Sequence, residues 1–242
     1  MPRRIPADTF PAEWPAILQA NAFHYQLLNA EERSLWIEDI QNFIAIKNWE
    51  GCRGFEITEE VKVTIASQAC LMLLGREHDC FKRVRSILVY PSAFKVIDED
   101  HPPIPALGLA VPHGPVLLAW DVALEEARDS SSGRNVVIHE FAHQLDFLHG
   151  NSDGTLDLDG QGERWRHVVT EEYRRLRRLT REGRETFLGD YAASSQLEFF
   201  ASISETFFTQ PRALKHYHPS LYSVFAETYA VDTEAWFLRQ AR

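Results

Sequence analysis

One stretch of this 242-residue chain carries residue types at a spacing that suits metal-assisted hydrolysis, His139-Glu-Phe-Ala-His-Gln-Leu-Asp-Phe-Leu-His-Gly150. On a helix, positions i and i+4 share a face, so His139 and His143 can offer two imidazole nitrogens to one ion. Glu140 points slightly off that face, within reach of a water on the ion. A zinc ion held by neutral nitrogen and carboxylate ligands lowers the pKa of such a water to about 7. The neighbouring carboxylate can then take its proton as the water attacks an amide carbonyl. The chemistry requires a helix. Val136, Val137, Ile138, Phe141, Ala142, Leu145 and Leu148 supply an apolar body for one, Asn135 is of N-cap type, and Gly150 stands where a C′ residue belongs. Without a third ligand, the same pattern also describes a buried helix with two hydrogen-bonded histidines.

Two residues compete for third ligand. His149 completes His-x₃-His-x₅-His, which resembles the metzincin signature. Asp146, however, stands where that signature has the glycine that lets the helix turn sharply. The signature also needs a downstream methionine turn, whereas Met1 and Met72 both lie upstream. Glu198 is the other candidate, in Tyr191-Ala-Ala-Ser-Ser-Gln-Leu-Glu198. Phe199, Ile203 and Thr206 trace one face of a helix that stops before Pro211, and Glu198 lies in its first turn. Yet Ser195-Gln-Leu-Glu198 is also a complete capping box, which gives Glu198 a purely local use. Both uses are open on the residues alone. Asp146 and Glu205 each fall about two turns beyond a candidate ligand, so either can accept the second N–H of a ligating imidazole, or serve an ordinary surface or cap role.

These residues need elements to position them, and the composition allows a single large domain or two small ones. The chain is 45% hydrophobic and 12% aromatic, with 25 basic against 35 acidic residues and a net charge of −10. That balance argues against a nucleic-acid surface. Cys52, Cys70 and Cys80 form neither a disulfide framework nor a zinc pattern, and read as free thiols in a reducing compartment. With no apolar signal region and no run of membrane-spanning length, the expected location is the cytoplasm. Residues 1–20, with four of the twelve prolines, read as an irregular lead-in. Asn29 with Glu32 predicts a capped helix through Trp36, Ile40, Phe43 and Ile44; Thr58 opens a second, closed by Gly75. Ser86–Tyr90, Phe94–Ile97 and Pro115–Trp120 read as strands, the last with a free edge open to an extended peptide. Residues 98–105 read as a rigid acidic loop, 121–128 as an acidic helix, and 163–182 as a charged helix burying Trp165, Val169, Leu176 and Leu179. Its Arg174, Arg175, Arg177 and Arg178 read as a solvated face. Asp153, Asp157 and Asp159 miss the EF-hand spacing and read as a solvated loop. His216 and His218 read as surface residues. The expected layout is an N-terminal helical layer, residues 1–85, and a catalytic region, 86–242.

His139-Glu-Phe-Ala-His, followed downstream by Tyr191-Ala-Ala-x₄-Glu198-x-Phe-Ala, resembles the Mlc titration factor A (MtfA) family of zinc aminopeptidase-like proteins. It is more distantly similar to the catalytic domain of anthrax lethal factor. The likeness includes Gly54-Phe-Glu, Leu88-Val-Tyr-Pro-Ser-Ala-Phe, Gly114-Pro-Val-Leu-Leu-Ala-Trp-Asp and Glu205-Thr-Phe-Phe. The resemblance implies an α+β, zincin-like metallopeptidase domain with a small sheet and C-terminal helices. It implies one zinc held by His139, His143 and Glu198, Glu140 as general base, and Tyr191 as the hydroxyl that stabilises the oxyanion. It also implies hydrolysis of short peptides, and binding to a glucose-responsive transcriptional repressor of the Mlc type that the protein would sequester. Longer members of that family carry a further histidine before the Gly-Pro-Val strand as an extra ligand; His101 and His113 are the histidines in that stretch here, and neither aligns cleanly.

Overall fold

The computed structural model describes residues 11–75, 81–98, 101–148 and 162–240. Its first element corrects the expected lead-in, because Trp14–Asn21 is a helix, α1. Pro15 sits in its first turn, where a missing N–H leaves no bond unmade, and Trp14 and Leu18 are buried. A 3₁₀ turn, Phe23–Gln26, leads to α2 (Ala30–Ile46). The predicted capping box is present there. Glu32 N–H donates to Asn29 Oδ1 at 2.9 Å, and Asn29 N–H donates to Glu32 Oε2 at 2.8 Å. A short strand, β1 (Asn48–Gly51), precedes α3 (Glu59–Leu71), whose N-cap is Thr58. That helix ends before Gly75, so the glycine serves packing instead of capping. A Cβ there would lie 2.3 Å from the Tyr229 carbonyl oxygen and 2.4 Å from that of Ala230.

Five strands follow: β2 (Ser86–Tyr90), β3 (Phe94–Asp98), β4 (His101–Ala106), β5 (Gly108–Ala110) and β6 (Val116–Ala119). One sheet has the order β1-β2-β6-β5, parallel except for β5, which runs antiparallel to β6 with Gly108 opposite Leu118 and Ala110 opposite Val116. β3 and β4 form a separate antiparallel ribbon, Phe94 opposite Ala106 and Val96 opposite Ile104. The acidic loop expected over 98–105 is therefore largely strand. Pro103 and Pro105 alternate onto the outer edge of the two-stranded ribbon, which asks for no donor, and Pro102 lies where the register shifts between Val96 and Asp98. A second correction concerns the strand at 115–120. As β6 it is enclosed by β2 and β5, so the free edge expected of it belongs to β5. The signal for β5 was hidden in a run of only Gly-Leu-Ala.

The helices that complete the molecule are α4 (Trp120–Arg128), α5 (Val136–Leu148), α6 (Gly162–Arg181), α7 (Gln196–Thr209), α8 (Pro211–Tyr217), α9 (Pro219–Tyr229) and α10 (Thr233–Gln240). α5 packs on α7, α3, α4 and β5, while α3 also holds α1 and α2. One continuous apolar cluster runs from Trp14 to Trp236. Phe141 in α5 meets Phe81 and Phe43 edge-on, with centroids 4.6 and 5.5 Å apart, while Phe199, Phe200, Phe207 and Phe208 of α7 are fully buried. Ring pairs of this kind are worth about 0.5–1.5 kcal/mol each beyond their area. The architecture is α+β, a small sheet set beside a buried helix. Among the described residues no helix is long and apolar enough to cross a membrane.

Candidate metal centre

α5 is buried on every side, including its polar residues His139, Glu140, His143, Gln144 and Asp146. Such groups persist in a core only with partners. Its N-terminus is tied down first. Asn135 caps it, Oδ1 accepting from Ile138 N–H at 3.0 Å, while its Nδ2 donates to Gln68 Oε1 of α3 at 2.9 Å. Two carboxylates from other helices take the next free donors. Asn135 N–H donates to Glu205 Oε2 of α7, and Val136 N–H to Glu126 Oε2 of α4, both at 2.6 Å. Acceptors of negative charge suit a helix N-terminus. Burial pushes Glu126 up to about 7, against the Val136 N–H bond.

His139 and His143 emerge one turn apart, ring centroids 4.7 Å apart and nearly perpendicular. Glu198 approaches both from the first turn of α7. Its Oε2 lies 3.0 Å from His139 Nε2, its Oε1 lies 3.7 Å from His143 Nε2, and one donor atom of each residue falls within 4.8 Å of the others. The capping box proposed for Ser195 is only half built. Glu198 N–H donates to Ser195 Oγ at 3.1 Å, but the Glu198 carboxylate is turned toward the imidazoles.

His139 Nδ1 donates to Glu205 Oε1 at 2.7 Å, which fixes the ring so that Nε2 faces the Glu198 oxygen. With Nδ1–H so committed, Nε2 and the carboxylate are two acceptors face to face, and the gap calls for a positive charge. Burial alone would depress His139, yet Glu198 and Glu205 hold it up at about 10. A metal ion answers the same demand. His143, by contrast, is pushed down to about 4 by burial and by the charge on His139, so its lone pair is free. Burial works to raise Glu198, but His139, His143 and the Tyr191 hydroxyl together leave it below the usual carboxylate range. Two neutral-capable nitrogens and one ionised carboxylate match the donor types that a catalytic zinc or a similar divalent ion takes. The residues present fit the ion.

Glu140 lies beside this cluster, pushed up to about 7 by burial and restrained by His139 and by the Ala110 N–H, which it accepts. Gly108 makes its place. A Cβ there would sit 2.4 Å from Glu140 Oε1. Tyr191, on the 3₁₀ turn before α7, is 64% exposed, its ring 5.9 Å from that of His139. Burial of its hydroxyl and the adjacent Glu198 raise its pKa, so it stays protonated.

Other sequence candidates fall elsewhere. His149 and the 153–159 aspartates lie outside the described residues. His113 is exposed on the turn between β5 and β6 and is not part of the cluster, and His101 enters only through its backbone, opposite Asp98. His218 pairs with Glu172 at 2.9 Å. Of the two proposed partners for an imidazole N–H, Glu205 takes His139 Nδ1, while Asp146 is buried further along α5. Gly108, Ala110 and Glu126 were missed by sequence reasoning. None has a motif, and each matters only through a contact across the fold.

The comparisons with known proteins agree with this geometry. The family model described as glucose-regulated metallo-peptidase M90 matches residues 2–230. An uncharacterized protein of Synechocystis is 33% identical over 233 residues, covering 92% of this chain and 85% of its own. Proteins named Mlc titration factor A are similar as well. That of Serratia proteamaculans is 30% identical over 198 residues (74% of this chain, 72% of its own), and that of Cronobacter sakazakii 28% over 217 (85% and 81%). With a match that runs almost from end to end and a zincin-like α+β fold beneath it, the chain belongs to the glucose-regulated metallo-peptidase M90 family.

Proposed function

We propose that this metallopeptidase is a cytoplasmic, zinc-dependent enzyme that hydrolyses short peptides in the manner of an aminopeptidase, its 1–85 helical layer supporting an 86–242 catalytic region. His139, His143 and Glu198 are the ligands. What carries the reading is that three donor atoms from two helices converge within 4.8 Å while Glu205 orients one of the imidazoles. When bound, zinc supplies Lewis acidity toward water and the scissile carbonyl. Glu140 takes the proton of the attacking water on its carboxylate and delivers it to the leaving amine. Tyr191 O–H turns from Glu198 to the carbonyl oxygen as charge develops there. β5 positions the substrate. Ala119 N–H donates to Leu107 O at 2.7 Å and Val111 N–H to Pro115 O at 3.0 Å, so 107 and 111 face β6. By alternation the backbone groups of Gly108 and Ala110 face outward; Glu140 takes the Ala110 N–H, and the Gly108 N–H and C=O with the Ala110 C=O are left to pair with an extended peptide added as a strand.

The test is hydrolysis of a panel of amino-acid and peptide amides by wild type and Glu140→Gln. Wild type should lose activity to a chelator and regain it with zinc, at about one zinc per chain, and Glu140→Gln should be inactive with its zinc retained. Turnover by Glu140→Gln at the wild-type rate would refute the assignment. The names of the Serratia and Cronobacter relatives favour a second role, binding of an Mlc-type repressor. The same variant separates the two, since a complex that persists in Glu140→Gln does not depend on hydrolysis.

A further inference from the structure

At the N-terminal ends of β2 and β6, a cavity of about 350 Å³ is lined by Arg83, Arg85, Ser86, His113, Gly114 and Pro115, none of them a member of the metal cluster. Val84 is buried, while Arg83 and Arg85 on either side of it are exposed and both line the cavity. The Arg85 carbonyl is fixed by Asn48 N–H at 2.8 Å, which holds this segment against β1. Across the cavity, the turn joining β5 to β6 is closed by Gly114 N–H on Val111 O at 2.9 Å, and His113 within it has a left-handed backbone, φ 57°.

The charge is what calls for a ligand. The chain carries ten more acids than bases, yet the residues that line this cavity include two arginines and no carboxylate. Arg83 and Arg85 take part in no ion pair among the described residues. Two guanidiniums lining one cavity repel each other, and the planar fork of each matches a tetrahedral oxyanion better than a lone charge does. The Ser86 hydroxyl and the His113 ring add hydrogen-bonding groups at the same cavity.

We propose that Arg83, Arg85 and His113 form a binding site for a small polyvalent oxyanion of the phosphate or phosphate-ester class. Its turn is joined to the catalytic helix, because Gln144 Nε2 of α5 donates to Val111 O at 3.1 Å. The experiment is calorimetric titration of the zinc-loaded full chain with inorganic phosphate and, separately, glycerol phosphate, against chloride at matched ionic strength. Saturable binding that Arg83→Gln/Arg85→Gln weakens by at least about tenfold is the expected result. Tighter binding of glycerol phosphate than of phosphate would assign the ester as the natural class. Zinc content and peptide hydrolysis, read in the same preparations, should be unchanged in the double variant, which keeps its fold separate from its anion affinity. Absence of saturable binding, or binding that survives the double substitution and so belongs to the zinc or elsewhere, overturns the proposal.

Discussion

Glu198 has two possible duties in the sequence and one orientation in the structure. Its backbone N–H still closes on Ser195, but its side chain reaches the imidazoles, so the local motif and the long-range contact coexist instead of competing. Glu198→Ala should therefore reduce zinc retention by more than the ~10–100-fold that losing a supporting partner costs. His149→Ala should leave it unchanged, and equilibrium dialysis against a chelator measures both; the reverse pattern would move the third ligand to His149. Tyr191 belongs to the same scale. It touches Glu198 but is still exposed enough to meet a substrate. Tyr191→Phe should lower turnover by ~10²-fold with zinc content intact, in line with one lost oxyanion donor. Unaltered turnover would remove the tyrosine from the mechanism.

The elements are held by carboxylates that do two jobs each. One oxygen of Glu205 takes the Asn135 N–H at the start of α5 and the other orients His139, so a single residue of α7 sets both the axis of the catalytic helix and the aim of its first imidazole. Glu205→Ala should cost about 1–3 kcal/mol of stability, from the buried N–H left unpaired. It should also weaken zinc binding ~10–100-fold. Urea unfolding of the zinc-free protein and competitive zinc titration read these two effects separately, and an effect on stability with zinc affinity untouched would mean that Glu205 is only a cap. Sequence reasoning could place Glu205 on the same face of its helix as Glu198, because helical spacing is local. It could not choose between Glu205 and Asp146, because the choice depends on how α7 crosses α5. β5 was invisible for a related reason. Three small residues have no period to read, and their importance lies in the neighbour, Glu140, that a side chain on Gly108 would displace.

At the scale of the molecule, the N-terminal 3₁₀ turn is tied to α7 through His24, whose Nε2 donates to the Phe208 carbonyl at 2.9 Å while Nδ1 is buried without a partner. Burial, only partly offset by that bond, pushes its pKa down to about 4 from 6.5. The unfolded chain then binds a proton below about 6.5 that the folded chain refuses until about 4. Stability from this residue is thus complete above the first value and falls as pH drops through that window, by about 2 kcal/mol at pH 5. Comparing urea midpoints at pH 7.5 and 5 for wild type and His24→Gln isolates the effect from other titrating groups such as Glu126. Equal pH slopes in the two proteins would contradict it. The sequence by itself determined what obeys short-range rules: the two histidines on one helical face, the Asn29, Thr58, Asn135 and Ser195 caps, the strands at 86–90 and 94–97, and, through the order of motifs, the family. Only the tertiary structure decided which carboxylate faces the imidazoles, which strand carries the free edge, and which arginines share a cavity. Those depend on groups far apart in the chain, whose approach is set by the packing of a whole core and not by the spacing of neighbours.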